Sequence, residues 1–183
     1  MQEVEGEFSG LAEGDHGDIL TLKGEFLVCL SQGKDLQNYH HWKLVKLTIL
    51  ETFDNWTSLS RPRHLTYSQG KVYITDLGLH KIIIVDLDSN KQTLGGFLGS
   101  ELGQFKKPTG ICADHSGNLL VLDQGNGALS VFNSLGVFVR DLYRLEPDWR
   151  LGAALRLVGD TLWMACRGDK GALVELRLKP PQI

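Results

Sequence analysis

The chain has 183 residues, of which 42% are hydrophobic and 22% charged, and a formal net charge of −3; that is enough apolar material for a core and excludes a disordered or collagen-like polymer. No apolar run reaches the length of a membrane-spanning helix, and the start, Met1–Glu7, is acidic and lacks the apolar stretch of a secretory leader. Three cysteines (Cys29, Cys112 and Cys166) form neither an even set nor a close pair, so a reducing, cytoplasmic setting is expected, with Cys112 serving as a small core hydrophobe.

In chain order, a first unit over about residues 8–53 opens with Gly10-Leu11-Ala12-Glu13-Gly14-Asp15-His16-Gly17-Asp18-Ile19-Leu20. Ser31–Trp42 reads as an enlarged loop, and Leu44–Phe53 alternates apolar and polar residues as an outer strand does. His40-His41 beside Trp42 suggests a ligand or metal, but neighbouring strand residues face opposite ways and only Asp35 lies nearby to complete a site, so a solvated loop is expected.

The second unit, about 60–104, contains Pro62–Val85, and the third, about 106–144, contains Pro108–Phe132. In the third, short apolar strands (Gly110–Ala113, Leu119–Leu122, Leu129–Phe132) alternate with two turns, Asp114–Asn118 and Asp123–Gly127, rich in the residues that tight turns require. The second unit repeats this text: Pro62 maps to Pro108 at a shift of 46 and Asp76 to Asp123 at a shift of 47, which places a one-residue difference in the first turn. Gly10–Leu20 matches Gly110–Leu120 as a fainter copy. A fourth unit, about 148–178, keeps the outline in Gly152–Ala165 but lacks the proline, and Ala165 or Cys166 stands where the aspartate belongs. Units of about 45 residues with three or four short strands predict an all-β fold, a β-propeller of four-stranded antiparallel blades, with residues 1–183 forming about four of them.

Pro108-x-Gly110-Ile111, Gly117-Asn118, Val121-x-Asp123-x-Gly125-Asn126 and Val131-Phe132, led in by Gly103-x-Phe105, resemble an NHL repeat. The second unit keeps Pro62, Gly70, Asp76, Gly78, His80 and Lys81 of the same pattern. The resemblance implies blades like those of the C-terminal NHL domain of tripartite-motif (TRIM-NHL) ubiquitin ligases, whose propellers usually close with six blades. It leaves three options: a four-bladed ring, an arc completed by a partner or a second copy, or a fragment of a longer protein, the last being favoured. Lys179-Pro180-Pro181 ends the last unit after its third strand, and Glu3–Phe8 is a candidate for the absent outer strand. With no Cys-x-x-Cys, any RING or B-box zinc module would lie outside this chain.

In such a blade, the loop entering the first strand and the loop joining the second to the third lie at the same end. Those loops carry Arg61, Arg63, His64, His80, Lys81, Lys106, Lys107, Gln124, Asn126, Trp149, Arg150, Arg167 and Lys170, including eight of the 19 Lys and Arg residues. Residues 1–60 hold 4 basic and 10 acidic groups, whereas residues 61–183 hold 15 and 12, so the basic face belongs to the second stretch. The resemblance implies protein partners for this face, as in ubiquitin-ligase substrate or adaptor recognition. The alternative is a single-stranded RNA-binding propeller acting in post-transcriptional regulation, with bases stacked on aromatic residues. A plain solvated surface is the bland reading. No membrane partner is expected.

Catalysis is not expected. The inner strands offer Glu13 and little else that could ligate a metal, and no serine lies in a nucleophile-elbow context. Asp76, Asp114 and Asp123 read as turn-capping carboxylates that hold one blade to the next. No catalytic residue, metal or cofactor is assigned.

Overall fold

The computed structural model describes residues 8–13, 19–23, 26–32, 44–52, 59–86, 91–95, 98–146, 154–166 and 171–178. All regular structure among them is β, and no helix is long and apolar enough to cross a membrane. The chain divides into two compact units, residues 1–59 and 60–183. The expected roles of Glu3–Glu7, His40-His41, Trp149, Arg150, Arg167 and Lys170 lie outside the described residues.

The first unit is one antiparallel sheet in sequential order: β1 (Phe8–Glu13), β2 (Ile19–Lys23), β3 (Phe26–Gln32) and β4 (Leu44–Thr52). The second unit holds three sheets. Strands β5 (Pro62–Ser68), β6 (Lys71–Asp76), β7 (Lys81–Asp86) and β8 (Lys91–Gly95) form one; β9 (Pro108–Ala113), β10 (Leu119–Asp123), β11 (Ala128–Phe132) and β12 (Phe138–Arg144) form the next. The third has three strands, β13 (Ala154–Val158), β14 (Thr161–Cys166) and β15 (Ala172–Arg177). The first strands of the three sheets, β5, β9 and β13, lie side by side with β9 in the middle.

The middle sheet explains the nearly unbroken apolar text of the third repeat. Every residue of β10 and β11 is buried because both faces are covered. Alternation sorts the side chains: Leu119 and Val121 join Tyr73, Ile82, Phe105, Ile111 and Phe132 on one side. Leu120 and Leu122 join Leu129, Leu145, Leu155, Leu162 and Met164 on the other. Phe132 anchors the first cluster, with its ring centroid 5.3 Å from Phe105 and 5.7 Å from Phe138. Each such buried side chain contributes roughly 1.5–3 kcal/mol. Cys112 is packed in the second cluster, where burial, then the Asp114 charge, pushes its thiol up to about 12.

The one-residue difference between the second and third repeats lies in their first turns. Ser68 pairs with Lys71, leaving the two-residue loop Gln69-Gly70 with φ of 51° and 76°, the type I′ geometry that matches strand twist. In the third repeat a longer loop takes its place, closed by Asp114: Oδ1 accepts the N–H groups of Ser116 and Asn118, both at 2.8 Å, and Oδ2 accepts Asn118 Nδ2.

Candidate functional site

The ends of β6 and β10 carry equivalent aspartates, and each binds the loops on either side of its own sheet. Asp76 Oδ2 accepts the Ser60 N–H at 2.7 Å, and its Oδ1 accepts those of Arg61, Gly78 and Leu79 at 2.9–3.0 Å. Asp123 Oδ2 accepts the Lys106 N–H at 2.7 Å and Asn126 Nδ2 at 3.0 Å. Its Oδ1 accepts the N–H groups of Lys107, Gly125 and Asn126 at 2.8–3.2 Å. Both carboxylates are buried, so this saturation with donors is what makes their charge tolerable there.

The two loops meet closely. A Cβ added to Gly125 would lie 2.3 Å from Lys106 Cβ, and one added to Gly78 would lie 2.4 Å from Ser60 Oγ. The aspartates thus clamp the entering loop onto the turn within a sheet, which corrects the expectation that they join one sheet to the next. The joints between sheets are made by other groups. The Thr75 hydroxyl accepts the His64 N–H at 3.1 Å and donates to the Thr109 carbonyl at 2.7 Å. His80 Nδ1 donates to the Lys106 carbonyl at 2.5 Å, an acceptor that requires the proton on Nδ1.

A second repeated device aims the basic residues. Pro62 pairs with Asp76 and Leu65 with Ile74, so Arg63 and His64 oppose Thr75 alone. Pro108 and Ile111 pair with Asp123 and Val121 in the same two-against-one bulge. At the first bulge Arg63 is exposed and His64 half-buried.

The structure therefore brings Arg61, His80, Lys81, Lys106, Lys107, Gln124 and Asn126 to one end of the second unit, linked through Asp76, the His80–Lys106 bond and Asp123. Within that group Arg61 and Lys107 are exposed, and Lys81 and Lys106 half-buried. His80 and Asn126 are braces: Asn126 Nδ2 also donates to the carbonyls of Gly99 (3.1 Å) and Gln104 (3.3 Å), holding the lead-in loop. Gln124 donates its backbone N–H to the Lys107 carbonyl at 2.9 Å.

Sequence reasoning missed Arg144, which reaches the same end because Ala128 pairs with it; that pairing depends on two register shifts between β11 and β12, which no local pattern shows. Arg144 pairs with Asp141, whose Oδ1 accepts the Ser130 hydroxyl at 2.7 Å. These three, with Glu101, Gln104 and Asn126, line a cavity of about 340 Å³ under the lead-in loop. Asn126 Oδ1 is buried without a hydrogen-bond partner among the described residues. Those residues contain no group of three His, Cys, Asp or Glu able to hold a metal.

Burial, then the neighbouring Arg63 charge, lowers the His64 pKa below 6.5. Below pH 6.5 the unfolded chain takes up that proton before the folded one does, so stability falls as pH drops until the folded pKa is passed. His64→Gln is therefore expected to lose less stability on acidification than the parent chain. Urea midpoints at about pH 7.5 and pH 5.5 measure this, and equal losses in both chains would remove His64 from the acid response.

No protein-family model matches the chain, and no curated protein matches it. Solved structures do. The chain resembles streptogramin B lyase at 15% identity and a TM-score of 0.62, over 100% of this chain and 58% of that one. A structural-genomics protein of unknown function from Bacteroides thetaiotaomicron aligns at 14% identity and a TM-score of 0.69, over 93% and 47%. The structure of a nidogen/laminin complex supplies a match at 18% identity and a TM-score of 0.66, over 97% and 62%. The chain spans roughly half to six-tenths of each of these neighbours. At such identities the likeness is one of fold: the chain is an all-β protein with a β-propeller architecture.

Proposed function

We propose that this chain is a non-catalytic interaction module of NHL type that binds protein partners through the basic loop end of its second unit, as a substrate- or adaptor-recognition domain in the manner of TRIM-NHL ubiquitin ligases, in the cytoplasm. One observation carries the reading. Exposed Arg61 and Lys107 stand on loops fixed by the buried carboxylates of Asp76 and Asp123. Cations held on clamped loops suit an acidic partner segment at low entropic cost. The groups that catalysis would need already have structural partners: Asp76 and Asp123 hold loops, His80 holds the Lys106 carbonyl, and Ser130 donates to Asp141.

Single-stranded RNA is the second reading, favoured by the same cations. It is weaker because, among the described residues of that end, the His80 ring is tied to the Lys106 carbonyl instead of standing free to stack on a base. A labelled uridine-rich oligomer and a labelled aspartate/glutamate-rich peptide, titrated at low and physiological salt, separate the two. The protein reading expects the peptide to bind and R61E/K107E to weaken it about tenfold or more, while the oligomer shows no salt-dependent affinity. Strong oligomer binding that collapses as salt rises would replace this reading with RNA recognition.

A further inference from the structure

The chain contains a single Asn-Gly dipeptide, Asn126-Gly127, in the turn between β10 and β11. An asparagine before glycine loses its amide most readily, because no Cβ on the following residue crowds the approach of that residue's backbone nitrogen to the side-chain carbonyl. Gly127, at φ 61°, and the pairing of Asp123 with Ala128 set the conformation of this turn.

The Asn126 amide is tied down within it. Nδ2 shares its hydrogens among Asp123 Oδ2 (3.0 Å), the Gly99 carbonyl (3.1 Å) and the Gln104 carbonyl (3.3 Å). Gly99 and Gln104 lie on the lead-in loop, residues 98–106. That loop has little apolar anchorage at its start: Leu98 and Leu102 are 64% and 79% exposed, while Phe105 and the Lys106 N–H fix its other end. Loop and amide therefore hold each other. Swinging Cγ toward the Gly127 nitrogen takes Nδ2 away from Gly99 and Gln104.

We propose that Asn126 is a deamidation site gated by the lead-in loop, and that its conversion releases the loop irreversibly. When the loop opens, the Gly127 nitrogen gives its proton to hydroxide and bonds to Asn126 Cγ. The Cγ–Nδ2 bond breaks and ammonia departs with a proton taken from water, leaving a succinimide. Water then adds to one of the ring carbonyls and opens the ring to aspartate or isoaspartate; no oxidant or reductant takes part. Neither product rebuilds the tie. Aspartate sets an oxygen where Nδ2 was, against three acceptors, one of them the Asp123 carboxylate. Its other oxygen inherits the place of Oδ1, which is buried and has no donor among the described residues. Isoaspartate adds a methylene to the backbone of a turn whose flanking residues, Asp123 and Ala128, are paired.

The test incubates the full chain, folded and in urea, at mildly alkaline pH, and follows each asparagine by peptide mapping. Asn126 is expected to convert faster than Asn118 and Asn133 in urea, and about tenfold or more slower in the folded chain than in urea. Asn126→Asp is expected to speed hydrogen exchange at the Gly99 and Gln104 N–H groups about tenfold or more, while the β10 and β11 amides stay protected. If that variant does not fold, the parent chain, aged in the folded state and separated by charge, supplies the product for the same measurement. Equal rates at Asn126 in the folded and unfolded chains overturn the proposal. So does the lack of any excess over Asn118 and Asn133 in urea, or a product that leaves exchange in the lead-in loop unchanged.

Discussion

Asp123→Ala is expected to destabilise the second unit by about 4 kcal/mol, among the largest effects a single substitution produces. The side chain accepts five hydrogen bonds: from the backbone of Lys106, Lys107, Gly125 and Asn126, and from Asn126 Nδ2. Each bond to a charged acceptor contributes roughly 1.5–3 kcal/mol, and removing the acceptor orphans all five donors together. Water reaches part of the half-buried loops, which holds the sum below the simple total. Asp123→Asn serves as an internal control. Its oxygen can keep the three donors now on Oδ1, but its amide would point an N–H at the Lys106 N–H, so a loss of about half is expected. Urea unfolding followed by a probe in the second unit measures both. A loss under about 1 kcal/mol for the alanine variant would mean that Asp123 does not hold the loops.

The second large effect is steric. Gly125→Ala is expected to cost about 3 kcal/mol, because the new methyl would meet Lys106 Cβ at 2.3 Å and the Lys107 nitrogen at 3.1 Å. Backbone conformation is not the obstacle, since Gly125 is not among the positive-φ residues. The cost comes from the entering loop, which Asp123 draws down onto the turn. Lys106→Gly removes the nearest atom and is expected to recover part of the loss, whereas the same change in the Gly125 parent recovers nothing. A double-mutant cycle on these two positions measures the coupling, and additive effects would contradict the clamped geometry. Gly78 and Ser60 form the same pair in the preceding sheet, where the blocking atom is Ser60 Oγ at 2.4 Å.

These two residues also show what was legible in the sequence. Asp-x-Gly recurs at Asp76-Leu77-Gly78 and Asp123-Gln124-Gly125 because the clamp needs a carboxylate and a missing Cβ at fixed separation, and that requirement is written locally. The prolines at the strand starts, Pro62 and Pro108, marked the repeat, whereas the bulge that follows each of them came only with the strand pairing. The fourth repeat lacks both proline and aspartate, and the β13–β14 register accordingly runs without a bulge from Ala154–Ala165 to Val158–Thr161.

What was not legible depends on contacts between repeats. His80 occupies a left-handed conformation, φ 54°, at the position where the next repeat has Gly127, φ 61°. That strain, on the order of 1 kcal/mol, is offset by a bond to the Lys106 carbonyl 26 residues away, a partner that no local pattern reveals. Thr75 reaches Thr109 across the same boundary. The basic end was visible because hairpin connectivity alone puts the entering loop and the second turn together. Its division into exposed cations and structural braces was not visible, because burial decides it. His80 and Asn126 carry recognition chemistry in the sequence and hold loops in the structure.

A photo-crosslinking residue placed at Lys107, compared with one at Leu135, tests the role of the basic end most directly. Leu135 is 85% exposed in the turn between β11 and β12, at the opposite end of the strands from Lys107. Binding through the basic end predicts a discrete protein adduct in cells from position 107, absent from position 135 and lost when R61E and K81E are added. The same adducts from both ends, or adducts that survive those charge reversals, would contradict it.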